Sequence, residues 1–137
     1  MPTDNNVAAL RAAGSQWNAG NLEAYLALYH PDAVLHGYAG VEPGLSGIRR
    51  FYQAFWAAFP GSQLVFEDVF ASADKVACRF MLQGEHRGAY QGIAATGAQI
   101  QVPGITILEF HEGQCIRRWT YMDSIGLLKQ LGAFPPR

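Results

Sequence analysis

Asp123 closes the run Trp119-Thr120-Tyr121-Met122-Asp123, which reads as a strand, and on a pleated strand it shares a face with Tyr121 and Trp119. Aromatic side chains of that kind usually line apolar space, so a carboxylate among them calls for a physical reason. Two are available. Asp123 can cap the helix announced by the apolar spacing of residues 124–132, because Asp is among the preferred N-cap residues. It can instead be a proton-transferring base in a hydrophobic pocket, where burial lifts a carboxyl above its reference pKa of about 3.9. Ser124 could then take over the cap. His86 is the second candidate: within Gly84-Glu85-His86-Arg87-Gly88 it ends a strand, where an imidazole could donate a hydrogen bond to a developing enolate or assist proton transfer. A strand-end histidine bonded to a backbone carbonyl is the plainer reading of the same residue. Neither His86 nor His36 pairs with His30 or His111 at ligand-like spacing, so no metal site is expected, and nothing in the chain calls for a cofactor.

These residues need elements to position them, and the chain supplies helices first and strands afterwards. Val7, Leu10, Gly14 and Trp17 share one helical face, capped by Thr3 or Asp4 and ended by Asn18-Ala19-Gly20. Asn21 caps a second helix over 22–29, and Pro31-Asp32 turns the chain into a short extended run at 33–36. Ser46 is expected to cap a third helix, whose Ile48, Phe51, Tyr52, Phe55, Trp56 and Phe59 form a broad aromatic stripe stopped by Pro60-Gly61. From there the period becomes two. Strands at 63–71 and 75–83 form one hairpin, strands at 99–111 and 114–123 a second, joined by Glu112-Gly113, and a glycine-rich connection lies between the hairpins. The order predicts one α+β domain over residues 1–137. Three N-terminal helices pack on the concave face of a curved, mostly antiparallel sheet.

Composition narrows the partners. The chain has 137 residues, half of them apolar, and a net charge of −1, which is enough to bury a core without a metal or disulfide staple. Scattered Lys and Arg give neither a stripe for nucleic acid nor a basic membrane patch. No apolar run approaches the roughly 20 residues of a membrane span, and no signal sequence opens the chain, so a cytosolic protein with a small hydrophobic ligand is expected. Cys78 and Cys115 read as small buried hydrophobes rather than a bridge. Ile105, Ile107 and Leu108 make one strand apolar on both faces, as expected if helices cover one face and a second subunit the other in a homodimer through the sheet.

Residues 29–36, the segment 74–80 leading into Gly84-Glu85-His86-Arg87-Gly88, the turn Gly92-Ile93-Ala94-Ala95-Thr96-Gly97 and the terminal Trp119, Asp123 and Leu127-Leu128-Lys129-Gln130-Leu131-Gly132 together resemble the SnoaL-like polyketide cyclases. The resemblance implies the cone shared with ketosteroid isomerase, scytalone dehydratase and limonene epoxide hydrolase, in which helices and a bent sheet enclose an apolar pocket. It also implies a cofactor-free intramolecular aldol closure with Asp123 as general base and His86 in support. His36 falls where such proteins carry a pocket-edge polar residue. Walls from Trp17, Tyr25, Trp56, Phe80 and Trp119 would suit a flat polycyclic ketone, with Tyr52, Gln83, Glu109 and Tyr121 as further lining candidates. No Arg-x-Asp occurs, and the position matching the isomerase base is Gly37, which disfavour epoxide hydrolysis and that form of isomerisation. Dehydration remains an alternative, as does a non-catalytic dimer that binds a small hydrophobic molecule. The chain departs from the cyclase pattern at Glu85, at Ala94-Ala95 and at Arg117.

Overall fold

The computed structural model describes residues 2–134. The elements follow in the order α1 (Pro2–Asn18), α2 (Leu22–Leu26), β1 (Tyr29–His36), α3 (Leu45–Ala58), β2 (Gln63–Ser72), β3 (Lys75–Glu85), β4 (Gln99–His111), β5 (Gln114–Met122) and α4 (Ser124–Gln130). The strands form one sheet in the order β1-β5-β4-β3-β2, so the expected α+β class holds. Pairing is antiparallel except at one edge, where β1 runs parallel to β5 with His36 beside Trp119. Parallel neighbours need a long crossover, and everything from α3 to β4 provides it.

Helix ends differ from the sequence expectation in two places. α2 stops at Leu26, and Tyr29, expected in that helix, instead starts β1 with its side chain buried. α3 begins at Leu45 behind Gly44, which has φ 96° and contributes no side-chain cap, so Ser46 already lies inside the helix. The Asn21 cap forms as expected, its side chain accepting from Ala24 N–H at 3.1 Å. Between β4 and β5 the two-residue turn Glu112-Gly113 has positive φ at both positions, the twist a tight hairpin requires.

Three bulged registers, in β1, in β2 at Phe66/Asp68 and between β4 and β5 at Glu109/Phe110, accompany the curvature of the sheet. Its concave face carries Val76, Cys78, Phe80 and Leu82 of β3 with Ile100, Val102, Thr106, Leu108 and Phe110 of β4, all buried. Leu10, Ala13 and Trp17 of α1 and Ile48 and Tyr52 of α3 close over it. Each large apolar side chain so buried contributes about 1.5–3 kcal/mol. Trp17 is the hub of the helical layer, with ring centroids 5.0 Å from Tyr25 and 5.0 Å from Trp56 in edge-on contacts. Cys78 and Cys115 are buried free thiols. Burial pushes them up to about 11 and about 12, so both remain neutral packing groups. Among the described residues no helix is long and apolar enough to cross a membrane.

Candidate active site

Layering helices over a bent sheet leaves a hollow of about 190 Å³ between them. Its walls are Trp17 of α1, Tyr25 of α2, Phe51, Tyr52 and Phe55 of α3, Leu64 of β2, Phe80 and Leu82 of β3 and Met122 of β5. Exposed Gly37, Ala39, Gln91 and Ser124 ring the mouth together with half-buried Tyr38 and Tyr90. Gly37 has φ 82°, and a Cβ there would run into the Thr120 carbonyl, so the chain can pass this close to β5 only as glycine. Gly104 acts similarly in the sheet: a Cβ would fall 2.5 Å from the Phe80 ring, which lies across that position to wall the hollow.

The inner end is polar. Arg118 and Thr120 point inward from β5, and Arg118 is only 7% exposed. Its Nη1 donates to Tyr25 Oη at 3.0 Å and Tyr29 Oη at 2.7 Å, and its Nε donates to Thr106 Oγ1 at 2.9 Å. The hydroxyls continue as a chain, Tyr25 to Tyr29 at 2.8 Å and Tyr29 to Tyr52 at 3.0 Å, with Tyr38 2.8 Å from Thr120 and Thr120 2.8 Å from Thr106. No carboxylate among the described residues pairs with this guanidinium; Arg49, Arg50, Arg79, Arg87 and Arg117 all have one, at the surface. Burial pushes the Tyr29 and Tyr52 hydroxyls well above the ordinary phenol range and Tyr25 above it, and the Arg118 charge opposes this without prevailing. At neutral pH the cluster is therefore one guanidinium cation, which proteins do not deprotonate, held by neutral hydroxyls. Unpaired buried charge is costly unless hydrogen bonds replace its hydration. Here three oxygens do so.

Of the residues picked out in the sequence, Trp17, Tyr25, Tyr52 and Phe80 line the hollow. The others lie elsewhere. Asp123 is exposed, and its Oδ1 accepts from Gly126 N–H at 2.8 Å as the N-cap of α4. A Cβ at Gly126 would collide with that carboxylate, so glycine is what allows the cap. Trp119 and Tyr121 do share a face with each other, but it is the outer face of the sheet; Tyr121 is 68% exposed. His36 is there too, exposed and stacked on Trp119 with ring centroids 5.2 Å apart. Gln83 alternates with inward Leu82, and Glu109 sits in an outer charged row beside Lys75 and Arg117, at 3.9 and 3.8 Å. Trp56 turns to a separate hollow of about 200 Å³ by Gly61 and Ser62.

His86 is wholly buried yet does not line the hollow. Its Nδ1 accepts from Thr96 N–H at 3.2 Å and lies 2.9 Å from Thr96 Oγ1, its ring packs 5.3 Å from Phe59, and its Nε2 has no partner among the described residues. Sequence reasoning missed Arg118, Thr120 and Tyr38. A polar Arg-x-Thr alternation beside a Trp-x-Tyr alternation is normally assigned with the aromatics inside, and β5 does the reverse. The available signal was Thr106, polar in the otherwise apolar series Ile100, Val102, Gly104, Leu108, Phe110, and paired in register with Thr120.

The sequence profile of the SnoaL-like polyketide cyclases matches residues 7–131. The chain belongs to this family. Among solved structures it is similar to IdmH of Streptomyces antibioticus, a proposed polyketide cyclase, with 27% identity, a TM-score of 0.77 and coverage of 93% of this chain and 98% of that one. TsrD of Streptomyces laurentii has 26% identity and a TM-score of 0.83, over 92% and 93% of the two chains. AclR of Streptomyces galilaeus, a proposed hydroxylase, has 24% identity and a TM-score of 0.85, over 97% and 99%, and so speaks for the fold alone. No protein of curated function matches the sequence. Neighbours described as cyclase and as hydroxylase share one cone, so the reaction has to be argued from the site.

Proposed function

We propose that this SnoaL-like chain is a cofactor-independent enzyme that closes a ring in a hydrophobic carbonyl compound by intramolecular aldol addition. The observation that carries the reading is the pairing of aromatic walls with a buried Arg118 and hydroxyl cluster at the inner end of the hollow. The carbon next to one carbonyl gives up its proton to solvent water or buffer, and the enolate attacks the carbon of a second carbonyl in the same molecule; one carbon–carbon bond forms as the C=O π bond opens, and the alkoxide oxygen takes a proton back from water. The walls hold the folded substrate near its reactive geometry, which supplies much of such a barrier. Arg118, with the one hydroxyl hydrogen left over by the chain Tyr25, Tyr29 and Tyr52, provides fixed donors for the oxygen that carries the negative charge. Asp123 serves α4 as its cap in this mechanism, and proton transfer does not pass through it. His86 acts at a distance, by fixing the connection that carries Tyr90 and Gln91.

A second reading has its own observation. Among the described residues the lining contains no Asp, Glu, His, Cys or Lys, as befits a protein that binds a small hydrophobic molecule without transforming it. Turnover of a panel of polyketide-like keto esters, followed by loss of substrate and mass of product, separates the two. Wild type and Asp123→Asn are expected to turn over alike. Tyr52→Phe, which keeps the ring and removes one donor, should lower kcat by about 10²–10³-fold. Absence of turnover across the panel favours the binding module, and loss of turnover in Asp123→Asn with its stability intact would restore a general-base role to that carboxylate. The proposal includes a second copy of the chain on the outer face of the sheet.

A further inference from the structure

Counting hydrogens shows which donors the inner end of the hollow leaves over. Both Nη1 hydrogens of Arg118 go to Tyr25 and Tyr29, and its Nε–H goes to Thr106. Thr106 gives its own hydrogen to the Trp119 carbonyl at 2.9 Å. Thr120, 2.8 Å from Thr106 Oγ1, must therefore donate to it, and Tyr38, 2.8 Å from Thr120, must donate in turn. Tyr25, Tyr29 and Tyr52 own one hydroxyl hydrogen each, and the contacts Tyr25–Tyr29 and Tyr29–Tyr52 consume two of them. The third hydrogen is left at one end of this chain: on Tyr52 it can reach Tyr38 Oη at 3.4 Å or a ligand, and on Tyr25 it faces a ligand in the hollow. The two hydrogens on Arg118 Nη2 have no acceptor among the described residues. What the cluster offers a guest is a set of donors and one full positive charge.

A second feature of the same hollow concerns the proton on carbon. Aldol closure begins by removing it, and among the described residues no carboxylate, imidazole or amine lines the hollow to receive it. A simple ketone would be stranded. A compound whose carbon acid is already acidic would not, because it can lose its proton to solvent water or buffer at the mouth and enter as an anion. The walls Phe51, Phe55, Phe80 and Trp17 are suited to a flat, conjugated anion, and Arg118 to its oxygen. We propose that the hollow selects acidic 1,3-dicarbonyl compounds and binds them as enolates, which supply Arg118 with the counter-charge that the described residues do not provide. The inference relies on the ring-closing reading for what becomes of the enolate, but not for its binding.

The probe is 1-phenyl-1,3-butanedione, whose enolate absorbs at longer wavelength than its enol, titrated with pH in the presence of saturating protein. An opposite charge at contact distance lowers the pKa of an acid by about 1–3 units, and a shift of that size is the expected result for wild type. Arg118→Gln should abolish it. Should that variant fail to fold, wild type alone still decides. Its affinity for the dicarbonyl should rise about tenfold per pH unit between the bound and the free pKa and flatten above, whereas affinity for butyrophenone, which has no acidic proton, should stay level. An unchanged or raised pKa in the bound probe, a shift that survives in Arg118→Gln, or parallel pH profiles for the two probes would overturn the proposal. Keto-ester turnover without the shift sinks this inference and spares the ring-closing reading, while the shift without turnover does the opposite.

Discussion

Asp123 accepts the Gly126 N–H as the cap of α4, and the cap can be tested apart from catalysis. Asp123→Ala should lower stability to urea by about 1 kcal/mol, whereas Asp123→Asn, an equally good cap, should change it little. Identical urea midpoints for wild type and the alanine variant would mean that the cap contributes nothing. Arg118 and its tyrosines lead to a pH prediction. A group whose folded pKa lies above its unfolded value keeps its contribution below the unfolded pKa and loses it as pH rises toward the folded one. Cys78 and Cys115 start from 9.0, and Tyr25, Tyr29 and Tyr52 from 10.0, all raised by burial. Stability should therefore fall from about pH 9 upward, and Tyr29→Phe should flatten the limb above about pH 10; a level profile to pH 11 would contradict the burial of these groups. Composition pointed to the aromatic walls because aromatics seek cover wherever they lie. Arg118 was not legible, because burial of an arginine depends on three hydroxyls from α2, β1 and β4 converging on it, and none of these is its neighbour in sequence.

At the scale of elements, the connection between β3 and β4 is where the glycine-rich sequence gave least guidance and where His86 has its role. Arg87 and Gly88 N–H groups donate to the Ala58 carbonyl at 2.9 and 3.1 Å, docking the chain on the end of α3, where a Cβ at Gly88 would collide with Ala57. His86 N–H donates to the Ala98 carbonyl at 2.9 Å, the His86 carbonyl accepts from Gly97 N–H at 2.8 Å, and Thr96 closes the loop onto the imidazole. Between these anchors Tyr90 and Ile93 pair with each other, presenting Tyr90 and Gln91 to the mouth of the hollow. Thr96→Val removes the one hydroxyl that lies beside Nδ1 and also accepts from Ala98 N–H at 3.2 Å. It should cost about 1–3 kcal/mol locally, raise amide exchange over residues 87–97 and weaken 1-phenyl-1,3-butanedione binding severalfold, with exchange in β4 and β5 unchanged. Unchanged exchange in the loop would show that His86 does not secure it. The other elements were readable because period and turn chemistry agree: strands near 63–71, 75–83, 99–111 and 114–123 all form, to within a few residues. The parallel placement of β1 was not readable, since a short edge strand carries no mark of its partner's direction.

Across the whole molecule, register lines up an apolar row on the outer face. Phe70 pairs with Ala77, Ala77 with Ile107, Ile107 with Trp119, and Trp119 with His36, so one row crosses all five strands. Beside it Ile105 pairs with Tyr121. Phe70 is 67% exposed, Ile105 57% and Ile107 40%, in a contiguous patch of the kind monomers rarely leave to water. On one side the row is bounded by Lys75, Glu109 and Arg117, which pair across strands and form ion pairs, and Arg79 with Asp68 stands on the other. An apolar centre with a charged border is the anatomy of a protein interface, and a face that repeats on an identical chain can meet itself about a two-fold axis. The proposed dimer therefore predicts a solution mass of twice the 15.0 kDa chain by light scattering at micromolar concentration. Ile105→Glu with Ile107→Glu should give monomers, since an unpaired charge inside an interface costs several kcal/mol. Both changes point away from the hollow, so the monomer should still bind 1-phenyl-1,3-butanedione with the wild-type pH profile. A wild-type monomer would leave the outer row without a partner, and a monomeric variant that no longer binds the probe would mean that the second copy helps to shape the hollow from behind the sheet.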